Sequence, residues 1–159
     1  MDKALTVLDS MILGKEDIIA IMNLWNQEYP ANLSYTCTAD FEAYTKSLLS
    51  PNHILIRSDN YLIGWATKFD RGTERWFVII LSRIVHGKGL GTKLMNKLKK
   101  NEQRLNGWVI DHDLEIKTDG TFYRSPLGFY IKNGFIPIPD QRLELPHLSA
   151  VKVTWDAKI

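Results

Sequence analysis

Three glycines alternate with other residues in the segment His86-Gly87-Lys88-Gly89-Leu90-Gly91-Thr92. An apolar run, Glu74 to Val85, leads into it and an amphipathic stretch leads out. Residues of these types in this order suit an anion. The first turn of a helix leaves N–H groups without intrahelical partners, and the helix dipole favours negative charge there. The chain ahead of the helix must bend closely around the anion, which glycine does at least cost. Lys88 adds a positive charge and Thr92 a hydroxyl. The chemistry expected of this loop is the holding of a phosphate or pyrophosphate.

Two better-known phosphate motifs do not fit. The Walker pattern needs Lys and then Ser or Thr after its second glycine, with four residues between the glycines. The dinucleotide pattern G-x-G-x-x-G would need glycine at the position of Thr92. On the loop alone, a glycine turn that merely caps a helix stays open.

A second segment bears on the choice, Phe129-Tyr130-Ile131-Lys132-Asn133-Gly134-Phe135. With it the chain resembles the GNAT superfamily of N-acetyltransferases. That family carries Q/R-x-x-G-x-G/A between its fourth strand and third helix, and a later helix ending in a Tyr-x-x-x-Gly-Phe-like sequence. Here the first motif reads His86 to Gly91, with His86 where the family has Gln or Arg, and the second reads Tyr130 to Phe135. The resemblance implies a three-layer α+β fold, its mixed and largely antiparallel sheet flanked by helices. It implies acetyl-CoA as co-substrate, held by His86, Gly87, Lys88, Gly89, Leu90, Gly91 and Thr92, with Leu81 and Tyr130 near its reactive end. It implies direct transfer of an acetyl group to a primary amine of a small molecule or peptide. In such a site a backbone N–H at about Leu81 stabilises the oxyanion, and Tyr130 protonates the departing thiolate.

The amine must also lose a proton. An alkylammonium of pKa near 10.4 leaves about one part in 2,500 neutral at pH 7, a deficit of roughly 4.6 kcal/mol. Some relatives use a glutamate early on the fourth strand, but the matching position here is Arg75. Strand alternation turns Glu74 to the opposite face unless a bulge intervenes. His112, between Asp111 and Asp113, is the leading candidate base, with an ordinary pKa near 6.5. The stretch Trp25 to Tyr35 borders the expected acceptor side, and Glu28 in it is a candidate partner for a cationic amine. Packing of the first two helices is the favoured account of most of these side chains.

The elements that must position these residues follow from periodicity. A short strand at Leu5 to Leu8 precedes a helix over 15–28, where Ile18, Ile21, Met22 and Trp25 recur at helical spacing and Pro30 stops it. A second helix starts at Thr38 and ends at Ser50-Pro51. Strands are expected over 53–57, 61–69 and 74–85, then a helix over 89–105 with Leu90, Leu94, Leu98 and Leu105 on one face. Trp108 to Ile110 forms a strand parallel to the third, because a helix crosses between them. A polar loop at 112–122 looks longer than is usual in the family. A helix over 125–133 capped by Gly134 follows, then an extended stretch broken by Pro137 and Pro139, and a last strand over 150–155.

Composition narrows the function classes. At 159 residues with 45% apolar and 24% charged side chains, one domain over 1–159 with a real core is expected. A formal charge of +2 argues against a nucleic-acid partner. No apolar run approaches the roughly 18 residues that cross a bilayer, so no membrane role is expected. The single cysteine, Cys37, suits a reducing cytoplasm and reads as an ordinary thiol. No metal site is expected, and the oligomeric state stays open, a homodimer included. Two further readings compete, a non-catalytic acyl-CoA-binding module and an interaction domain whose glycines only turn the chain.

Overall fold

The computed structural model of the chain describes residues 5–158. Seven strands form one sheet in the order β1-β2-β3-β4-β5-β7-β6. They are β1 (Leu5–Ser10), β2 (Leu49–Ser58), β3 (Tyr61–Arg71), β4 (Glu74–Leu81), β5 (Arg104–Val109), β6 (Ile136–Leu145) and β7 (Leu148–Asp156). All neighbours are antiparallel except β4 and β5. That pair is joined by the crossover helix α3 (Leu90–Lys99), as a parallel pair requires.

Side-chain alternation along the strands builds a core on each face of the sheet. Leu55, Trp65 and Ile80 face helices α1 (Lys15–Glu28) and α2 (Thr38–Lys46), where Ile18, Ile21, Leu24 and Phe41 are buried. Ile54, Ile56 and Phe77 face α3 and the short helix α4 (Leu127–Lys132), where Leu94, Met95, Leu98 and Tyr130 are buried. The three-layer α+β expectation holds.

Most strand and helix ends shift by a few residues, and four larger departures from expectation have local reasons. The second helix stops at Lys46 rather than Ser50, because Ser47 turns the chain and Ser50 adopts φ +47 inside a bulge of β2. β4 stops at Leu81 rather than Val85, and residues 83–85 close a 3-10 turn onto the Ser82 carbonyl. α3 stops at Lys99, since buried Lys68 donates to the carbonyls of Leu98 at 3.0 Å and Lys100 at 2.9 Å, and Asn101 turns the chain with φ +65. Leu105, expected on that helix, instead lies in β5, which starts at Arg104 rather than Trp108, and is fully buried in the same core. Finally, Pro137 and Pro139 lie inside β6 rather than breaking it. β6 is an edge strand, and its register jumps from Ile138–Lys152 to Arg142–Val151, so three residues bulge out.

One buried titratable group gives the fold a pH signature. His53 is 3% exposed and its Nδ1 accepts the Trp65 indole N–H at 3.3 Å. Burial lowers its pKa from 6.5 to about 4. Between those values the unfolded chain binds the proton and the folded chain does not, so stability falls as pH drops through that window. His53 contributes a loss of about 3 kcal/mol across it. Urea unfolding at pH 6.5 and pH 4 should show His53→Gln, which still accepts the indole N–H, losing clearly less than the parent protein; equal losses would contradict the assignment.

Candidate active site

β4 and β5 are register-paired at one point, Trp76 opposite Asn106. Asn106 is fully buried and pins them there. Its Nδ2 donates to the Arg75 carbonyl at 3.2 Å and its Oδ1 accepts from Thr154 Oγ1 at 2.8 Å. Toward their C-terminal ends the two strands have no further register pairs, which leaves a gap.

Leu81 ends β4 at the edge of this gap. The Ser82 N–H donates to the Ile63 carbonyl at 2.8 Å, and Leu81 stands opposite Gly64. Bonded and non-bonded pairs alternate in an antiparallel ladder, so the Leu81 N–H and C=O turn away from β3 and into the gap. The Leu81 carbonyl is taken by His86, whose Nε2 donates to it at 2.8 Å. His86 therefore ties the start of the glycine loop back to the end of β4.

The loop has the backbone its glycines allow. Gly87 and Gly89 sit at φ +78 and φ +77, left-handed values that side chains other than glycine's make costly. A side chain at either would meet nothing within 4 Å, so the requirement is conformational. Gly91 is needed for a different reason, since a Cβ there would lie 3.1 Å from the Phe129 ring on α4. Gly89 is the N-cap of α3 and provides no side-chain cap. The N–H groups of Leu90, Gly91 and Thr92 thus open onto the exposed loop.

Tyr130 on α4 is 7% exposed, against Phe77 and Phe135 at ring distances of 5.7 Å. Burial, with a smaller push from Tyr123, raises its pKa far above the ordinary phenol value. Its hydroxyl makes no hydrogen bond among the described residues. Gly134, at φ +90, closes α4, and the Phe135 N–H returns to the Tyr130 carbonyl at 3.0 Å.

Across the gap, residues 115–123 fold back on themselves as a small hairpin. The Lys117 N–H donates to Thr121 O at 2.8 Å and the Tyr123 N–H to Glu115 O at 2.9 Å. The hairpin docks on the end of α1, where Ala31 N–H donates to Ile116 O at 2.8 Å and Thr118 Oγ1 to Asn26 O at 3.1 Å. Glu28, a candidate partner for an amine, is 7% exposed. Its Oε1 lies 3.4 Å from Lys117 Nζ and its Oε2 accepts the Arg83 N–H at 3.3 Å. Its charge is already matched. The α1–α2 connection also reaches the β6–β7 turn, Asn32 Nδ2 donating to His147 O at 3.4 Å.

His112 follows the end of β5, and its Nδ1 accepts the Leu114 N–H at 3.1 Å. In the neutral ring the proton is then on Nε2. Asp111 is gripped by Arg142 through two bonds of 2.8 and 3.0 Å, which hold its carboxyl below the usual range. Glu74 shares its face with Trp76 and lies 3.4 Å from Lys152, while Arg75 meets Asp70 and Glu102. The β3–β4 register runs without a bulge, so the two stay on opposite faces. A groove of about 530 Å³ lined by Thr73, Glu74, Arg75, Glu102, Gln103 and Arg104 opens at the other end of β4, away from the loop. Its charged lining residues are all in ion pairs, Arg75 with Glu102, Glu74 with Lys152 and Arg104 with Asp156, and nothing in it matches the anion-binding geometry of residues 86–92.

The resemblance pointed to Leu81, the loop and Tyr130 as one site. It did not reveal Asn106, the Glu28–Lys117 pair or the position of Tyr123. The unusual length of the 112–122 segment was the one signal pointing toward them.

Similarity to solved structures agrees with this architecture. An aminoglycoside 6'-N-acetyltransferase complexed with coenzyme A superposes with a TM-score of 0.68 at 12% identity, over 94% of this chain and 96% of that one. An acyl-CoA N-acyltransferase from Pseudomonas aeruginosa gives 0.67 at 12% identity, over 96% and 99%. A spermidine N-acetyltransferase from Vibrio cholerae gives 0.61 at 18% identity, over 95% and 94%. The chain therefore has the fold of the GNAT acetyltransferases. No protein-family model matches the sequence, and no curated protein does.

The left-handed Gly89 makes the loop testable. Gly89→Val forces a β-branched residue into a conformation costing about 1–2 kcal/mol and narrows the approach to the α3 N–H groups. Isothermal titration with coenzyme A as probe should show affinity reduced roughly tenfold or more. Unchanged affinity in a folded variant would remove the loop from the binding site.

Proposed function

We propose that the chain transfers an acetyl group from acetyl-CoA to a primary amine of a small molecule or peptide. The observation that carries this reading is the parting of β4 and β5 beside a glycine-built helix start, with the Leu81 N–H turned into the gap. The pyrophosphate of acetyl-CoA is held by the N–H groups at the start of α3, and Lys88 adds charge. The pantetheine arm runs along the gap and brings the thioester carbonyl to Leu81. There the N–H accommodates the oxyanion that forms on attack.

The amine nitrogen attacks the carbonyl carbon, a C–N bond forms and the C–S bond breaks. The nitrogen sheds a proton and the thiolate gains one, so an amide and a free thiol result. Tyr130 stands near the departing sulfur. Because burial makes its phenol a much weaker acid than a thiol of ordinary pKa near 8.5, its contribution is a hydrogen bond to the developing thiolate more than a completed transfer. His112 acts as base only by giving up the Leu114 N–H, so the ammonium's proton passes more directly to solvent.

Acetyl-CoA should raise the melting temperature, with about 2.7 kcal/mol of stabilisation at a hundredfold excess over its dissociation constant. No shift at millimolar ligand would sink this reading. In a thiol-release assay with amines, Tyr130→Phe should lower kcat roughly tenfold or more while leaving coenzyme A affinity in place. An unchanged kcat would remove Tyr130 from the reaction. Thermal stabilisation without thiol release from any amine would favour a non-catalytic binding module.

A further inference from the structure

The acceptor side of the gap has a chemical character that bears on which amines fit it. Tyr29, at the end of α1, and Tyr123, at the end of the hairpin, have ring centroids 6.2 Å apart. Both are partly buried, and neither hydroxyl makes a hydrogen bond among the described residues. Burial raises both phenols, and Tyr123 and Tyr130 act on Tyr29 while Tyr123 acts on Tyr130. All three phenols therefore lie within electrostatic reach of one another, and the Tyr29 and Tyr123 rings meet edge to face.

The charges around them are mostly spent. Glu28 is matched by Lys117, Asp119 by Arg83 at 2.9 Å, and Asp111 by Arg142. Asp113 accepts the Ser125 N–H at 2.7 Å. The α1–α2 connection, residues 29–37, and the β6–β7 turn, Pro146-His147, contain no acidic residue. Glu115 is the exception. It stands across the hairpin from Tyr123, on the same face, and makes no ion pair or side-chain hydrogen bond among the described residues. One ammonium has a carboxylate to meet, and a second would be desolvated without one.

We propose that the acceptor is a monoamine with an apolar or aromatic body, packed against the edge-to-face pair of Tyr29 and Tyr123 rings with its ammonium beside Glu115, and not a polycation. This rests on the acetyl-transfer reading. Aromatic ring faces attract an ammonium and pack well against a flat apolar body. Phenol oxygens accept its N–H groups and align the nitrogen toward the carbonyl carbon. Tyr29 and Tyr123 are positioning residues on this account, and they stand on the side of the sheet opposite the glycine loop.

The test compares 2-phenylethylamine with spermidine and kanamycin in a thiol-release assay, after acetyl-CoA binding has been measured separately by calorimetry. The expected result is a kcat/KM for 2-phenylethylamine at least tenfold above that of either polycation. Tyr123→Phe should raise the KM for 2-phenylethylamine about tenfold, the loss of one hydrogen bond to a charged group, with the dissociation constant of acetyl-CoA unchanged. A preference for spermidine or kanamycin overturns the inference and leaves acetyl transfer standing. An unchanged KM in Tyr123→Phe overturns the role of the phenols. Absence of acetyl-CoA binding removes the underlying reading, and this inference falls with it.

Discussion

The parting of β4 and β5 is the constraint on which the rest of the site depends. A parallel pair would ordinarily continue its ladder to the strand ends. Here it is fixed at Trp76 and Asn106, with the buried Asn106 amide holding both β4 and β7. A buried amide with its partners in place is costly to disturb, so the branching point is firm. Just past it, Gly107 leaves room for the Phe77 ring, which a Cβ would meet at 2.7 Å. That ring in turn packs on Tyr130 and Phe135, so the wedge between the strands and the floor under α4 are one packed unit.

The two sides of the gap are built from different materials. On the α3 side, backbone supplies the chemistry: left-handed glycines, uncapped N–H groups and the Leu81 peptide. On the α1 side, side chains supply it. The Glu28–Lys117 pair ties α1 to the hairpin, and the Arg83 N–H ties both to the exit from β4. Losing either member of such a buried pair strands a charge, at a cost of about 3–5 kcal/mol. The pair is accordingly a structural clasp that fixes where Tyr29 and Tyr123 stand.

Much of the backbone of residues 86–92 was legible in the sequence because glycine carries its conformational demand in its identity. Gly87 and Gly89 marked where the chain bends closely, which the left-handed φ values there carry out, and Gly134 marked the end of α4. Alternation along β4 correctly separated Glu74 from Arg75. The boundaries that were missed share a cause, tertiary partners remote in sequence. Lys68 ends α3 from thirty residues away, and the edge position of β6 makes its prolines harmless. The acceptor side was least legible for the same reason. Glu28 reads as a free carboxylate until Lys117, eighty-nine residues on, is placed beside it. Tyr123 looks like a loop residue until the hairpin folds.

The central claim is that the gap between β4 and β5 and the start of α3 together receive acetyl-CoA. Backbone amide resonances followed by NMR during titration with acetyl-CoA test it most directly. The account predicts the largest shifts at Leu81 and at residues 87–92, with smaller ones at Phe129 and Tyr130. Shifts confined to the opposite groove, at residues 73–75 and 102–104, would contradict it.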